Sequence, residues 1–349
     1  MHAWTFQKIH AKFFLLRDED VVMVCAETYR KLFLTERSIP IFNRPYWLDA
    51  VCGVDGWDVI LHEDKGGCVD AAWPYHFIRG RKGLIIKQPR LTQFNGIWFK
   101  PHDSWPEARR LEWEKAVVNE MVDALESRGI ARYKQHFSTA FTNWLPLFWR
   151  GYRQTTRYTY RINGIRNSDD LIMRFTAAKR RNIRHATREG VEVRFDFGCE
   201  RFYEYYSNSL KKQGAEISYP FDLFKRVHEA VYANGSGRTM YAIDKAGNVH
   251  GAILNVWDDE AAYDLITAYD PDYRNSGASG LLIYEMIKYV SQFVDIYDFE
   301  GSMEENIEKS YRQFATHQTP YFCIEKDNST PLRQALKLLW NQRDRLFRW

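Results

Sequence analysis

The sequence predicts an α/β (α+β) fold of two tandem units, each a mixed, mainly antiparallel sheet flanked by helices. Two observations lead to it. Runs of alternating apolar residues broken by turn residues give three strands, a helix, a strand, a helix and a strand, and that order occurs twice. The 349-residue chain, 45% hydrophobic and 27% charged, has the composition of a soluble globular protein and the length for two modest cores.

Residues 1–28 stand apart as an extension. Their apolar pieces are interrupted by Lys12, Arg17, Asp18, Glu19 and Asp20, a pattern of neither a secretory leader nor a membrane span. The first unit, residues 29–162, opens with strands at 57–62, 69–77 and 84–87, joined by turns at 63–67 and 79–83. A long aromatic loop, 89–104, leads to a helix over 106–127 that sets Trp113, Val117, Met121 and Leu125 on one face; Gly129 stops it. A strand at 131–137, a short helical piece at 141–148 and an alternating strand at 152–162 complete the unit.

The second unit, residues 163–326, begins with a helix capped by Ser168, running through Leu171, Phe175, Ala178, Ile183 and Ala186 and stopped by Gly190. Its other face carries Lys179, Arg180, Arg181, Arg184 and Arg188. Such a row is either a solvated basic face or an anchor for an anionic substrate: a phosphate-bearing sugar, a lipid carrier or an RNA backbone. Lys179, Arg180 and Arg184 are the candidate substrate-binding residues. Strands at 239–243, 249–257 and 261–269 form a meander. A helix with Leu282, Met286, Tyr289, Val290 and Phe293 inward follows, then a strand at 294–299, a helix at 304–314 with Ile307, Tyr311 and Phe314 on one stripe, and a last strand at 320–325. Residues 327–349 are a basic amphipathic tail, expected to pack back on the body rather than insert in a membrane.

Between the meander and its helix lies Ala268-Tyr269-Asp270-Pro271-Asp272-Tyr273-Arg274-Asn275-Ser276-Gly277-Ala278-Ser279-Gly280. A helix opening on small residues aims unpaired N–H groups and the positive end of its dipole outward, which suits an anion. Arg274 adds a charge-assisted donor. The alternative is a tight turn with no ligand. The matching loop of the first unit, Thr92-Gln93-Phe94-Asn95-Gly96-Ile97-Trp98-Phe99, is too bulky for a phosphate, so the chain is expected to hold one cofactor site and to shape a substrate groove with its other unit.

The net charge of +4 gives no global field for nucleic acid. Cys25, Cys52, Cys68, Cys199 and Cys323 form no CxxC and no metal-ligand spacing, which reads as reduced thiols of a cytoplasmic protein with no metal.

Arg274, Gly277 and Ser279 occupy the fixed places of Arg-x-x-Gly-x-Gly/Ala, and the loop resembles the acyl-CoA pyrophosphate motif of the GNAT acetyltransferases. The run Asp298-Phe299-Glu300-Gly301-Ser302, with Ile307, Tyr311-Arg312-Gln313-Phe314 and Ile41-Phe42-Asn43-Arg44-Pro45-Tyr46-Trp47-Leu48, is similar to the double-GNAT group of FemAB-type aminoacyl transferases and BioF2-like acetyltransferases. That resemblance spans residues 29–326. It implies acetyl-CoA or another acyl-CoA as co-substrate, held by Arg274, Asn275, Ser276, Gly277, Ala278, Ser279 and Gly280, with backbone N–H groups of Thr267, Ala268 and Tyr269 as oxyanion donors. Ser279 departs from the motif, and Glu304 stands where an Asn is usual.

Within the family, donors are acyl-CoA or aminoacyl-tRNA. The lack of a long heptad arm favours acyl-CoA. Glu300 and Asp298 are candidate general bases at the end of a strand, on one face by period 2, although either also suits a helix cap; His250 is a further candidate. Tyr311 stands where the family holds the acid for the leaving thiolate, and equally on a core stripe. Three functions follow: acyl-CoA-dependent N-acylation of a small or carrier-linked amine of a cell-envelope or polysaccharide precursor, aminoacyl-tRNA-dependent transfer to a peptidoglycan peptide, or a catalytically silent GNAT-like binding protein.

Overall fold

The computed structural model describes residues 18–166, 170–301, 303 and 305–328. Ser168, Ser302, Glu304 and the tail from residue 329 lie outside them. The strands are β1 (Trp57–Glu63), β2 (Val69–Gly80), β3 (Gly83–Lys87), β4 (Trp98–Phe99), β5 (Ile130–His136), β6 (Arg153–Asn163), β7 (Glu192–Phe195), β8 (Gly237–Ile243), β9 (Val249–Trp257), β10 (Ala261–Tyr269), β11 (Ile296–Asp298) and β12 (His317–Asp327).

They join into one sheet of order β1-β2-β3-β5-β12-β6-β11-β10-β9-β8-β7, with β4 on β2. Two pairs are parallel, β3 with β5 and β10 with β11, at the same place in each half. The last strand among the described residues, β12, lies between β5 and β6 of the first half, while β6 lies against β11 of the second. This interleaving fuses the halves, and no alternation pattern encodes it, because each strand presents the same two faces to any neighbour.

Helices cover both faces. In the first half the helix Glu107–Glu126 packs Val117, Val118, Met121 and Leu125 against Trp73, Tyr133 and Phe137. In the second half, one face carries the basic helix Ala177–Arg188 and the helix Ala278–Val290, closed by Phe314. The opposite face carries the helices Cys199–Lys212 and Phe221–Ala233, packed with Phe42, Trp47 and Phe94. No helix among the described residues is long and apolar enough to cross a membrane.

Several expectations are corrected in detail. The helix read from 168 is two pieces, Leu171–Arg174 and Ala177–Arg188, because Phe175 is extended and the Thr176 hydroxyl caps the second by accepting the Lys179 N–H at 3.3 Å. The helix read over 304–314 is α-helical only over Glu305–Tyr311 and ends in a 3₁₀ turn, Arg312–Phe314. The helix Asp18–Phe33 runs across residue 28, and the helices Pro45–Cys52, Cys199–Lys212 and Phe221–Ala233 have no counterpart in the sequence-based reading.

Candidate active site

The sheet opens where β10 and β11 part. Their parallel pairing runs Ala261–Ile296, Ala262–Tyr297 and Tyr263–Asp298 and then stops. Beyond Tyr263 the β10 edge has lost its ladder partner. Its register against β9 also shifts between Asp264 and Ile266, a bulge that re-aims the side chains.

On the face of the helix Ala278–Val290 this opening collects buried polar groups. Asp264 Oδ1 accepts from the Thr267 hydroxyl, and its Oδ2 has no hydrogen-bond partner. Burial raises the Asp264 carboxyl to about 7. Both amide atoms of Asn255 and the hydroxyls of Tyr269 and Tyr297 are likewise buried with no hydrogen bond of good geometry among the described residues, the Tyr297 hydroxyl facing Asn255 and the Tyr269 hydroxyl facing Thr267. Tyr311 joins them: burial first, then the charges of Asp264, Glu300 and Asp298, raise its phenol, so it stays protonated. Its ring also packs 4.7 Å from Phe299, so the core-stripe and polar readings of this residue hold together.

The two acidic candidates have different surroundings. Asp298 is 1% exposed and fully engaged. It accepts from the Thr159 hydroxyl and from the Glu300 N–H at 2.8 Å, and Arg161 Nε lies 3.3 Å from its other oxygen. Glu300 breaks the strand period: its φ is +57°, a left-handed conformation that costs an ordinary residue about 1–2 kcal/mol. Gly301 follows at φ +71°, where a Cβ would lie 2.1 Å from the Tyr158 carbonyl oxygen. The bend swings the Glu300 carboxyl into the opening, where Oε1 is buried with no partner among the described residues. Burial, then Asp298 and Asp264, push it well above the usual carboxylate range. Asp298 therefore holds the backbone that aims Glu300. His250 is placed elsewhere: its Nε2 lies 3.2 Å from Asp244, and its ring stacks on Tyr273 at 4.0 Å.

The loop after β10 has an open outer side. Ala268 is buried and the Tyr269 carbonyl accepts from the Ser209 hydroxyl. Arg274 and Asn275 are exposed, Ser276, Gly277 and Ser279 half-buried, and Ala278 and Gly280 buried. The Ser276 hydroxyl accepts the Ala278 N–H at 3.2 Å. A Cβ on Gly277, at φ +75°, would lie 2.2 Å from the Asn182 carbonyl oxygen, and one on Gly280 would lie 3.3 Å from Ile183 and Lys179. The smallness of both glycines thus seats this helix on the basic helix, a role separate from holding an anion. Beside the loop, an open depression of about 470 Å³ is lined by Tyr205, Asn208, Ser209, Lys211, Lys212 and Asp270.

The basic residues do not act as a group. Lys179 is buried, its Nζ 4.1 Å from the centre of the Phe314 ring, and burial lowers its ammonium to about 8. It faces the helix Ala278–Val290 rather than solvent. Arg180 donates to the carbonyls of Met173, at 3.0 Å, and Phe175, at 2.5 Å. Arg184 is exposed. Among the described residues no group of three or more His, Cys, Asp or Glu is arranged to hold a metal.

Sequence reasoning passed over Asp264 and Asn255. The signal was available: each is a polar residue inside an otherwise apolar strand.

Residues 174–305 match the family described as Acetyltransferase (GNAT) domain. The match spans the basic helix, the meander, the loop and Glu300. No curated protein matches the sequence significantly. Among solved structures, FemX is similar at 13% identity and a TM-score of 0.66, covering 85% of this chain and 95% of that one. A tandem GNAT protein from the clavulanic acid biosynthesis pathway is similar at 10% identity and a TM-score of 0.51, covering 88% and 95%. L-PGS from Bacillus licheniformis is similar at 10% identity and a TM-score of 0.52, covering 89% and 94%. Such identities speak to the fold alone, and the family model to residues 174–305: that part of the chain is a GNAT-type acyltransferase domain, and the whole chain shares the fold of these structures.

Proposed function

We propose that this chain is a cytoplasmic N-acyltransferase that moves an acyl group, acetyl being the simplest, from acyl-CoA to an amine of a cell-envelope or polysaccharide precursor, free or carrier-linked. The observation that carries the reading is the parting of β10 and β11 over unpartnered buried polar atoms, directly ahead of a helix whose mouth is open.

The donor's diphosphate would meet the free amides at the start of the helix Ala278–Val290, with Arg274, Asn275 and Ser276 around it. Amides of Thr267–Tyr269 on the unladdered edge would receive the thioester oxygen. The amine nitrogen attacks the thioester carbon while Glu300 accepts its proton, a role suited to a carboxylate whose proton affinity burial has raised. As the C–S bond breaks, Tyr311 donates its proton to the thiolate. Asp298 acts as a positioning residue through the Glu300 backbone.

Calorimetric titration with acetyl-CoA tests this: the wild type binds, and Arg274→Ala binds about 10–100-fold more weakly. No binding to either protein would overturn the donor assignment. A second reading, transfer from aminoacyl-tRNA, is favoured by the exposed Arg181, Arg184 and Arg188. It requires tRNA binding that weakens steeply with salt; absent or salt-independent binding removes it.

A further inference from the structure

We propose that the acceptor carries an anionic group, a phosphate or a carboxylate, beside its reacting amine, and that Arg157 on β6 holds that group. This rests on the acyltransferase reading, since the acceptor is the amine that Glu300 deprotonates.

Directly opposed residues of neighbouring strands share a face of the sheet. Tyr321 on β12 is opposite Arg157, Thr319 is opposite Thr159, and Arg161 is opposite both His317 and Asp298. Asp298, Arg161, Thr159, Arg157 and Tyr321 therefore form one stripe, leading outward from the candidate active site along the two central strands. Further out come His136 with Cys323, then Lys134 with Glu325.

Along this stripe the cations differ in how they are compensated. Arg161 lies 3.3 Å from Asp298. Arg132 lies 3.7 Å from Asp327 and Lys134 4.0 Å from Glu325, both at the exposed end. Arg157 is half-buried and makes no ion pair among the described residues. Its Nε is shut off from solvent and has no hydrogen-bond partner. The Tyr321 hydroxyl hydrogen-bonds the guanidinium but carries no charge, and beside it the His136 imidazole, which burial and the Arg157 charge lower to about 4, is neutral. A guanidinium with one N–H shut off from water and no counter-charge is costly, and an external anion that completes it recovers that cost.

The surroundings fit such a ligand. Gln93 Oε1 and Glu300 Oε1 are buried and unpartnered among the described residues as well. The charges of Arg157, Glu300 and Asp298 all act on Tyr321, so the cation for the anion and the carboxylate for the amine share one neighbour. The donor's cluster of Asp264, Tyr269, Tyr297 and Tyr311 packs on the other face, with the helix Ala278–Val290. A guanidinium fork fits phosphate and carboxylate alike, so the two sources are separated by experiment.

The CoA-saturated protein is titrated calorimetrically with O-phosphoethanolamine, β-alanine and ethanolamine. One or both anionic amines are expected to bind, the tighter one identifying the group, and ethanolamine to bind at least tenfold more weakly. Arg157→Gln is expected to lose at least tenfold in affinity for the anionic amines, and Arg157→Lys to regain part of it. The CoA affinity of each variant, read in the same cell, reports that the fold is intact. Equal binding of all three amines, binding of none, or an unchanged affinity in Arg157→Gln overturns the proposal. Failure of the wild type to bind CoA defeats the donor assignment instead, and the same titration without CoA still decides the anion site.

Discussion

Two loops occupy the same place in the two halves, each leaving the strand whose successor pairs with it in parallel. The first, between β3 and the helix Glu107–Glu126, is turned inward. Phe94 and Trp98 are buried, the Asn95 side-chain oxygen accepts from Gln135 at 3.1 Å, and Gly96 lies so close under Phe137 that a Cβ would sit 2.5 Å from its ring. The second, between β10 and the helix Ala278–Val290, leaves Arg274 and Asn275 in solvent. One slot is thus spent on the core and its copy is kept open. The closed loop still serves the site from a distance: Gln93 reaches Thr159 at 3.3 Å and Asp298 at 3.5 Å. The two halves supply two such frames, and side-chain volume distinguishes the packed one from the open one.

The largest expected effect lies beside the open slot. Glu300→Gln should lower kcat by about 10²–10⁴-fold with acetyl-CoA affinity unchanged. The wild-type rate should rise with pH through the raised Glu300 value, and that limb should vanish in the variant. A variant retaining the wild-type profile removes Glu300 as the base.

Next come the glycines of the two loops. Gly277→Ala must both hold φ +75° and push against the Asn182 carbonyl, so it should lose about 2–5 kcal/mol in urea denaturation and weaken acetyl-CoA binding. Gly96→Ala should lose about 1–3 kcal/mol through Phe137 alone and leave acetyl-CoA affinity as it is. Equal effects of both on acetyl-CoA would erase the distinction between the loops.

Asp264 tests the polar opening through stability. Its folded-state value, about 7, lies above the unfolded 3.8, so the folded chain holds the proton more tightly. Stability therefore falls as pH rises from 4 to 7, by about 4 kcal/mol in full, and is flat above. Asp264→Asn should be more stable than the wild type at pH 8 and lose that advantage at pH 4. Denaturation midpoints at the two pH values read this, and an advantage independent of pH would mean that the carboxyl is not desolvated. The smallest effect is expected of Tyr311→Phe, about tenfold in kcat with KM held, measured by thiol release from acetyl-CoA.

Much of the second half was legible because its signals are local. Alternation and turn residues placed β9 and β10 at their observed ends, and the Asp298–Glu300 run drew attention to the strand end where the opening lies. The helices Cys199–Lys212 and Phe221–Ala233 escaped because their inward faces are aromatic and mixed with tyrosines, a composition that reads equally as loop or groove. The basic row was legible as charge but not as role: Lys179 shares its stripe with arginines, yet lies under Phe314. Asp298 and Glu300 looked equivalent by period 2, and the left-handed turn at Glu300 separated them.

By itself the sequence determined the doubled order of strands and helices, the small-residue loop in one half only, and the residues proposed for the site, since propensity, periodicity and residue volume act within a few positions of the chain. Tertiary structure alone decided that β12 crosses between β5 and β6, that Arg161 neutralises Asp298 while Arg157 has no counter-ion among the described residues, and that Glu300 keeps an oxygen unpartnered among them. These depend on desolvation and on partners more than a hundred residues away, which no local pattern records.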